Sequence, residues 1–336
     1  MCEPAMQLTE IYRPIRKELE GVEDAIQKAL CQAKNTSILK VSRFLLKTPG
    51  KRLRPALTIL CAKAVTNSPQ PSAFSPQLIN VAAAIELIHM ASLVHDDVID
   101  HSHKRHHHAT ANSRWGNDAS IALGDYLHAL SFKLLSGCSH ADILGCISEA
   151  TQAMCEGELI QLLERDNLSL LKDRYLVIIE KKTASLFSAS CQAGALLSHA
   201  SRKTCLALKE YGLNFGIAFQ IVDDYMDLVA PEEVLGKAPG QDIVMGELTL
   251  PLLNLLQSLG KSERARLEKL LTTRTENCLT QVKRELANSR AKNYIKRISS
   301  SYINSAKKNV NILPDSPYKK SLLALGDLIL KRGFNH

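Results

Sequence analysis

Apolar residues recur at three- and four-residue spacing along almost the whole chain, as helices burying one face require. Residues 18–32 form an amphipathic run that follows Pro14, and residues 38–46 form a shorter one. Thr48-Pro49-Gly50 interrupts the pattern, and Pro55 suits the first turn of the next helix. A Ser/Pro/Asn-rich stretch, 66–75, reads as a loop. Long helices are predicted over 76–100, 117–135, 141–163, 168–197 and 202–229, with an irregular polar segment at 101–115. Residues 231–247 hold three Gly and two Pro and read as another loop. Shorter helices continue to Lys331, broken near Gly260, Ser289 and Pro314 to Pro317. These elements predict one all-α domain over residues 1–336 with a deep central cavity.

Composition agrees with helices. Hydrophobic residues make up 45% of the 336 residues and aromatics only 5%, so Leu, Ala and Ile must build the core. Nine Cys, with no CxxC pair, read as reduced thiols of a cytoplasmic protein. The first seven residues carry Glu3 and Pro4 and do not resemble a secretory signal, and no run of membrane-spanning length is expected. The formal charge of +8 comes from 42 basic against 34 acidic residues. No nucleic-acid motif accompanies it, which leaves anionic phosphate substrates or a weak pull toward anionic lipid.

The candidate chemistry lies in two acidic clusters, Asp96-Asp97-Val98-Ile99-Asp100 and Asp223-Asp224-Tyr225-Met226-Asp227. On a helix, residues four apart share a face, so each cluster presents a wall of carboxylates. Each follows an apolar run, so the walls face an interior, where ionised carboxylates need counter-charge. Hard oxygen donors at this density suit Mg²⁺ shared with a diphosphate. Gly50-Lys51-Arg52-Leu53-Arg54-Pro55 is a basic loop at a helix start, fit to grip a phosphate. Gln220 precedes the second wall by one turn, Lys182-Thr183 interrupts an apolar helix, and 236–242 forms a Gly-rich loop after the second cluster. The histidines at 101, 103, 106, 107 and 108 have no nearby Cys and no helical HxxxH pair, so they read as a polar loop.

In this order, the two aspartate motifs, the GKRxRP loop, the KT pair, the FQxxDD stretch and the GKxxGxD loop resemble the trans-isoprenyl diphosphate synthases, or polyprenyl synthetases. The resemblance runs from about Gly50 to Pro251, and more loosely to the C-terminus. It implies a homodimeric all-helical barrel that joins isopentenyl diphosphate to an allylic diphosphate, with weak membrane association through the product. It also implies roles. Asp96, Asp100 and Asp223 would hold Mg²⁺, supported by Asp97, Asp224 and Asp227. Arg105, Lys182 and Lys237 would grip the allylic diphosphate. Lys51, Arg54 and His89 would hold isopentenyl diphosphate, and Thr183 and Gln220 would face the developing cation. Ala91 and Ser92, one turn before the first cluster, would set chain length. Both are small, which points to a hexaprenyl or longer product, with Phe132 as a candidate floor.

Two positions depart from the family pattern. His106 stands where the family carries a second arginine, and Glu247 where it commonly carries lysine. A neutral imidazole cannot copy a bidentate guanidinium. A regulatory subunit of a heteromeric synthase and a short-chain synthase are the alternatives. A terpene cyclase fits poorly with two intact aspartate triads. A di-iron bundle lacks its paired ExxH ligands.

Overall fold

The computed structural model describes residues 7–47, 50–66, 76–105, 108–138, 140–236, 238–274 and 277–334. Helix α1 (Leu8–Tyr12) leads through a 3₁₀ turn containing Pro14 into α2 (Arg16–Leu30). Helix α3 (Thr36–Leu45) starts at Asn35, whose side-chain oxygen accepts from the Ser37 and Ile38 N–H groups. There follow α4 (Leu53–Thr66), with Pro55 in its first turn, and α5 (Pro76–Ile99). Next come α6 (Ala111–Trp115), α7 (Asn117–Leu135), α8 (Ala141–Leu163), α9 (Lys172–Ile179), α10 (Ser185–Leu197) and α11 (Arg202–Val229). Two short turns, α12 (Glu232–Leu235) and α13 (Gln241–Met245), precede α14 (Leu250–Ser258) and α15 (Lys261–Thr273). The chain closes with α16 (Cys278–Asn288), α17 (Ala291–Asn309) and α18 (Pro317–Phe334).

Helix α11 is central, with α10 on one side and α17 on the other. Helix α10 also packs on α4 and α8, and α5 lies along α7. Helix α5 is apolar on nearly every face and buries Leu78, Ile85, Leu87, Ile88, Ala91 and Val94, as a helix surrounded by neighbours must. It corrects the expectation of no membrane-length run: by length and composition alone this 24-residue helix, with an 18-residue window at mean hydropathy 1.6, is long and apolar enough to cross a membrane. Its apolar window is 61% buried within this chain, and it ends at the first acidic cluster.

Three local features position the site and were not predicted. Residues 101–115 are not irregular throughout: β1 (Lys104–Arg105) and β2 (His108–Ala109) form an antiparallel hairpin pairing Lys104 with Ala109 and Arg105 with His108. The helix expected over 168–197 is α9 and α10 joined by one π-helical segment, Glu180–Ala184. Such an insertion rotates its residues out of α-helical register and recurs at functional sites. It carries Lys182 and Thr183. Gly157 on α8 allows it to sit there, since a Cβ at 157 would lie 2.4 Å from the Lys182 nitrogen. The loop 231–247 contains α12 and α13 rather than open coil.

Candidate active site

The C-terminal half of α5, the π-helical segment and α11 enclose a cavity of about 800 Å³. Its mouth is lined by Lys51, Arg54, Asp96, Asp100, Arg105, Lys182, Asp223, Asp227, Glu247 and Arg332. Its body is lined by apolar or weakly polar side chains, among them Met90, Leu93, Met154, Leu159, Ile178 and Phe219. The sequence-predicted site residues therefore converge, apart from the exceptions below.

The first wall divides its carboxylates between two tasks. Asp97 turns inward and is buried. The Arg105 fork donates to its Oδ1 from Nε at 2.9 Å and from Nη2 at 2.8 Å. Arg105 lies on the first strand of the β1–β2 pair, paired with His108. Asp100 accepts from Arg165 Nη2 at 2.9 Å. Asp96 faces the cavity beside Lys182 and Glu158. Desolvation pushes its carboxyl up from 3.8 to about 7, opposed by Lys182 and reinforced by Glu158.

The second wall is tied by a hydrogen-bonded chain. Thr183 Oγ1 donates to Gln220 Oε1 at 2.8 Å, and Gln220 Nε2 donates to Asp224 Oδ1 at 2.7 Å. Tyr175 Oη donates to the other Asp224 oxygen at 2.5 Å. Burial still outweighs both bonds and pushes the Asp224 carboxyl up to about 7. Asp227 accepts from the Asp242 N–H at 3.3 Å, which joins the wall to α13. Asp223 pairs with Arg332 of α18 at 3.1 Å.

Lys182 meets Glu158 at 2.5 Å. Burial opposes its charge, but Asp96, Glu158 and Glu247 together outweigh burial and hold the ammonium above its usual range. In the basic loop, Arg52 adopts φ +51° and is consumed by Glu23 and Glu86 at 2.5 to 3.0 Å. Arg54 is buried over the Phe187 ring at 4.2 Å and leaves its Nε unpartnered. Burial lowers it to about 10, against the pull of Glu86. His89 is held well below 6.5 by burial and by Arg54, Arg105 and Arg52, so it is neutral near pH 7.

Several expectations are corrected or fall elsewhere. Ala91 is wholly buried in the helical core and does not line the cavity. One residue on, Ser92 does, because it shares a face with Asp96. Phe132 is 46% exposed, one turn past His128, the α7 residue that does reach the wall, so it is no floor. Lys237 and His106 lie outside the described residues. Among the described residues, no group of three or more His, Cys, Asp or Glu is arranged as a ready-made metal site. Glu158, Arg165, Tyr175 and Arg332 were not predicted. Each meets its partner from a remote segment, and no local spacing announces them.

Of the carboxyls raised by burial, Asp96 and Asp224 fix a pH dependence. Asp96 and Asp224 keep their protons to about pH 7 when folded, against 3.8 for the ordinary group. Between about pH 4 and 7 the native state then binds more protons than the unfolded chain, so stability falls as pH rises through that window. The metal-free protein is expected to melt a few degrees higher at pH 6 than at pH 8. Mg²⁺ with pyrophosphate is expected to erase that difference by stabilising the pH 8 sample more. Melting curves that coincide at both pH values without metal would count against the buried-wall description.

An apolar cavity with opposed carboxylate walls and embedded cations has the shape and charge that a diphosphate carrying a hydrocarbon tail would need. The comparisons with known proteins agree. The sequence model of the polyprenyl synthetase family matches residues 35–288. The chain is 32% identical to geranylgeranyl diphosphate synthase of Methanosarcina mazei over 98% of this chain and 100% of that one. It is 30% identical to octaprenyl diphosphate synthase of Escherichia coli, over 97% and 99%. The crystal structure of a Caulobacter crescentus polyprenyl synthase, complexed with calcium and isoprenyl diphosphate, superposes with a TM-score of 0.92 at 31% identity, covering 99% of this chain and 100% of that one. The chain belongs to the polyprenyl synthetase family and is a prenyl diphosphate synthase, a transferase of prenyl groups.

Proposed function

We propose that this enzyme joins isopentenyl diphosphate to an allylic diphosphate in trans geometry, repeatedly and with Mg²⁺, to a hexaprenyl or longer product. The observation that carries this reading is the single cavity that gathers both aspartate walls and the cations at its mouth, while small Ser92 leaves its apolar body open. The donor set fits the metal. Asp96, Asp100 and Asp223 offer hard oxygens, and the Asp96 carboxyl, raised by burial first and by Glu158 and Asp100 beside it, is not fully offset by Lys182 and Arg105. Mg²⁺ keeps several waters and takes phosphate oxygens, so these aspartates need not form a complete cage.

When bound, Mg²⁺ supplies positive charge where the leaving diphosphate gathers negative charge. Lys182, braced by Glu158, and Arg105, braced by Asp97, grip the allylic diphosphate together with Lys237. Asp224 and Asp227 support the second wall. Lys51, Arg54 and neutral His89 hold isopentenyl diphosphate. Thr183 and Gln220, hydrogen-bonded to each other on the cavity wall, would set their oxygen dipoles near the allylic carbon, and the apolar walls would keep water from the cation that forms. The released diphosphate accepts the final proton, so no histidine base is needed.

Exposed Ile121 and Phe132 on α7, with Leu144 on α8, favour a homodimer through these outer faces. The eight described cysteines are free thiols, which suits a reducing, cytoplasmic setting. Membrane association would come through the apolar product.

With excess isopentenyl diphosphate, the wild-type enzyme is expected to run past the C20 product, and Ser92→Phe to shift products to shorter chains, both read by reverse-phase chromatography. Wild-type product ending at farnesyl or geranylgeranyl diphosphate would defeat the long-chain reading. Unchanged lengths in Ser92→Phe would remove Ser92 from the tail path.

A further inference from the structure

We propose that Arg165 and Glu247 form a charge-inverted positioning pair that sets Asp100, and the loop after the second aspartate cluster, for diphosphate binding. The pair replaces the lysine that the family commonly carries at position 247, and the proposal rests on the prenyltransferase reading above. A glutamate at the mouth would add to Asp96, Asp100 and Asp223 and repel a diphosphate unless it were neutralised in place. Arg165 does this. Its Nη2 donates to Asp100 Oδ1 at 2.9 Å and to Glu247 Oε1 at 3.2 Å, so one cation ties the first wall to the loop. Glu247 lines the cavity, whereas Arg165 stands behind it with 20% of its side chain exposed. Arg165 therefore acts through Asp100 and Glu247 rather than on substrate.

The crossing is built into the backbone. The Asp166 N–H donates to the Gly246 carbonyl at 2.9 Å, immediately beside the side-chain pair. Gly246 takes φ +73°, and a Cβ there would run into both the Asp166 carboxylate and the Arg274 guanidinium paired with it. Glu247 also faces Lys182, so it sits between two cations. The charge reversal at 247 is thus compensated from the end of α8, and the mouth keeps its balance. Both bonds of the bridge leave from the one nitrogen Nη2, while the buried Nε makes no hydrogen bond.

The test compares the full-length enzyme with Arg165→Ala, Arg165→Gln and the double variant Arg165→Ala/Glu247→Lys. Steady-state kinetics are run with the allylic diphosphate varied. Calorimetry with Mg²⁺ and pyrophosphate reads binding without turnover. Arg165→Ala and Arg165→Gln are each expected to raise KM for the allylic diphosphate, and weaken Mg²⁺–pyrophosphate, roughly 10- to 100-fold with a smaller change in kcat. The double variant is expected to recover most of this loss, since lysine returns a cation beside Asp100. Wild-type KM in the single variants, or a double variant no better than Arg165→Ala, would overturn the proposal. So would unfolding of both single variants, which would make the pair a latch for the fold. A wild-type chain that bound no Mg²⁺–pyrophosphate would bring down the prenyltransferase reading itself, and this proposal with it.

Discussion

Asp96→Ala and Asp223→Ala are each expected to cut turnover roughly 10³-fold or more while leaving the helical fold intact. The direction follows from what these carboxylates do when no diphosphate is bound. Asp96 is desolvated, crowded by Glu158 and Asp100, and only partly offset by Lys182 and Arg105, so its carboxyl rises to about 7. It costs the metal-free protein stability at pH 8, and its removal relieves that cost. A residue that weakens the resting fold and is needed for turnover belongs to the site rather than to the architecture. Asp96→Ala should therefore melt at or above the wild-type temperature at pH 8 without metal, and gain less from added Mg²⁺ and pyrophosphate. Asp223→Ala differs, because it strands Arg332 of α18 at the mouth. Circular dichroism melts beside single-turnover assays separate the two outcomes. Turnover within threefold of wild type in either variant would contradict the metal-holding role.

Lys182→Met carries the second large effect, an expected loss of about 10² to 10³ in kcat. It differs from the aspartate variants because it also destabilises. Lys182 is the cation toward which Asp96, Glu158 and Glu247 all turn. Without it, Glu158 loses a partner at 2.5 Å and three carboxylates face one another. The Lys182 side chain is 24% exposed, so the stability loss is put at about 1–3 kcal/mol, below that of a fully buried pair. Adding Glu158→Gln to Lys182→Met should recover much of the melting temperature and little of the turnover. Recovery of both would mean that Lys182 only neutralises Glu158 and does not grip diphosphate.

The aspartate walls were legible because their chemistry is encoded within five residues of a helix. Helices α7, α8 and α11 ended where the apolar periodicity did. What escaped the sequence depended on rotation and on distant partners. Ala91 and Ser92 are neighbours in the chain, yet one enters the core and the other the cavity, a difference of about 100° that only the packed helix fixes. The π-helical segment left no periodic trace, since its place is set by the close approach of Gly157 to Lys182. Phe132 looked like a floor because it is aromatic and apolar, but it sits one turn past the cavity wall. Glu247 read as a charge reversal, but its partner Arg165, two residues past the end of α8, lies too far along the chain for local spacing to name it.

Incubation of the purified chain, alone, with farnesyl diphosphate, labelled isopentenyl diphosphate and Mg²⁺ tests the central claim most directly. A ladder of prenyl diphosphates that depends on Mg²⁺ and reaches C30 or beyond is the predicted result. A folded chain that binds Mg²⁺–pyrophosphate yet adds no isoprene unit would contradict it, and would make this chain a partner of a catalytic subunit rather than the catalyst.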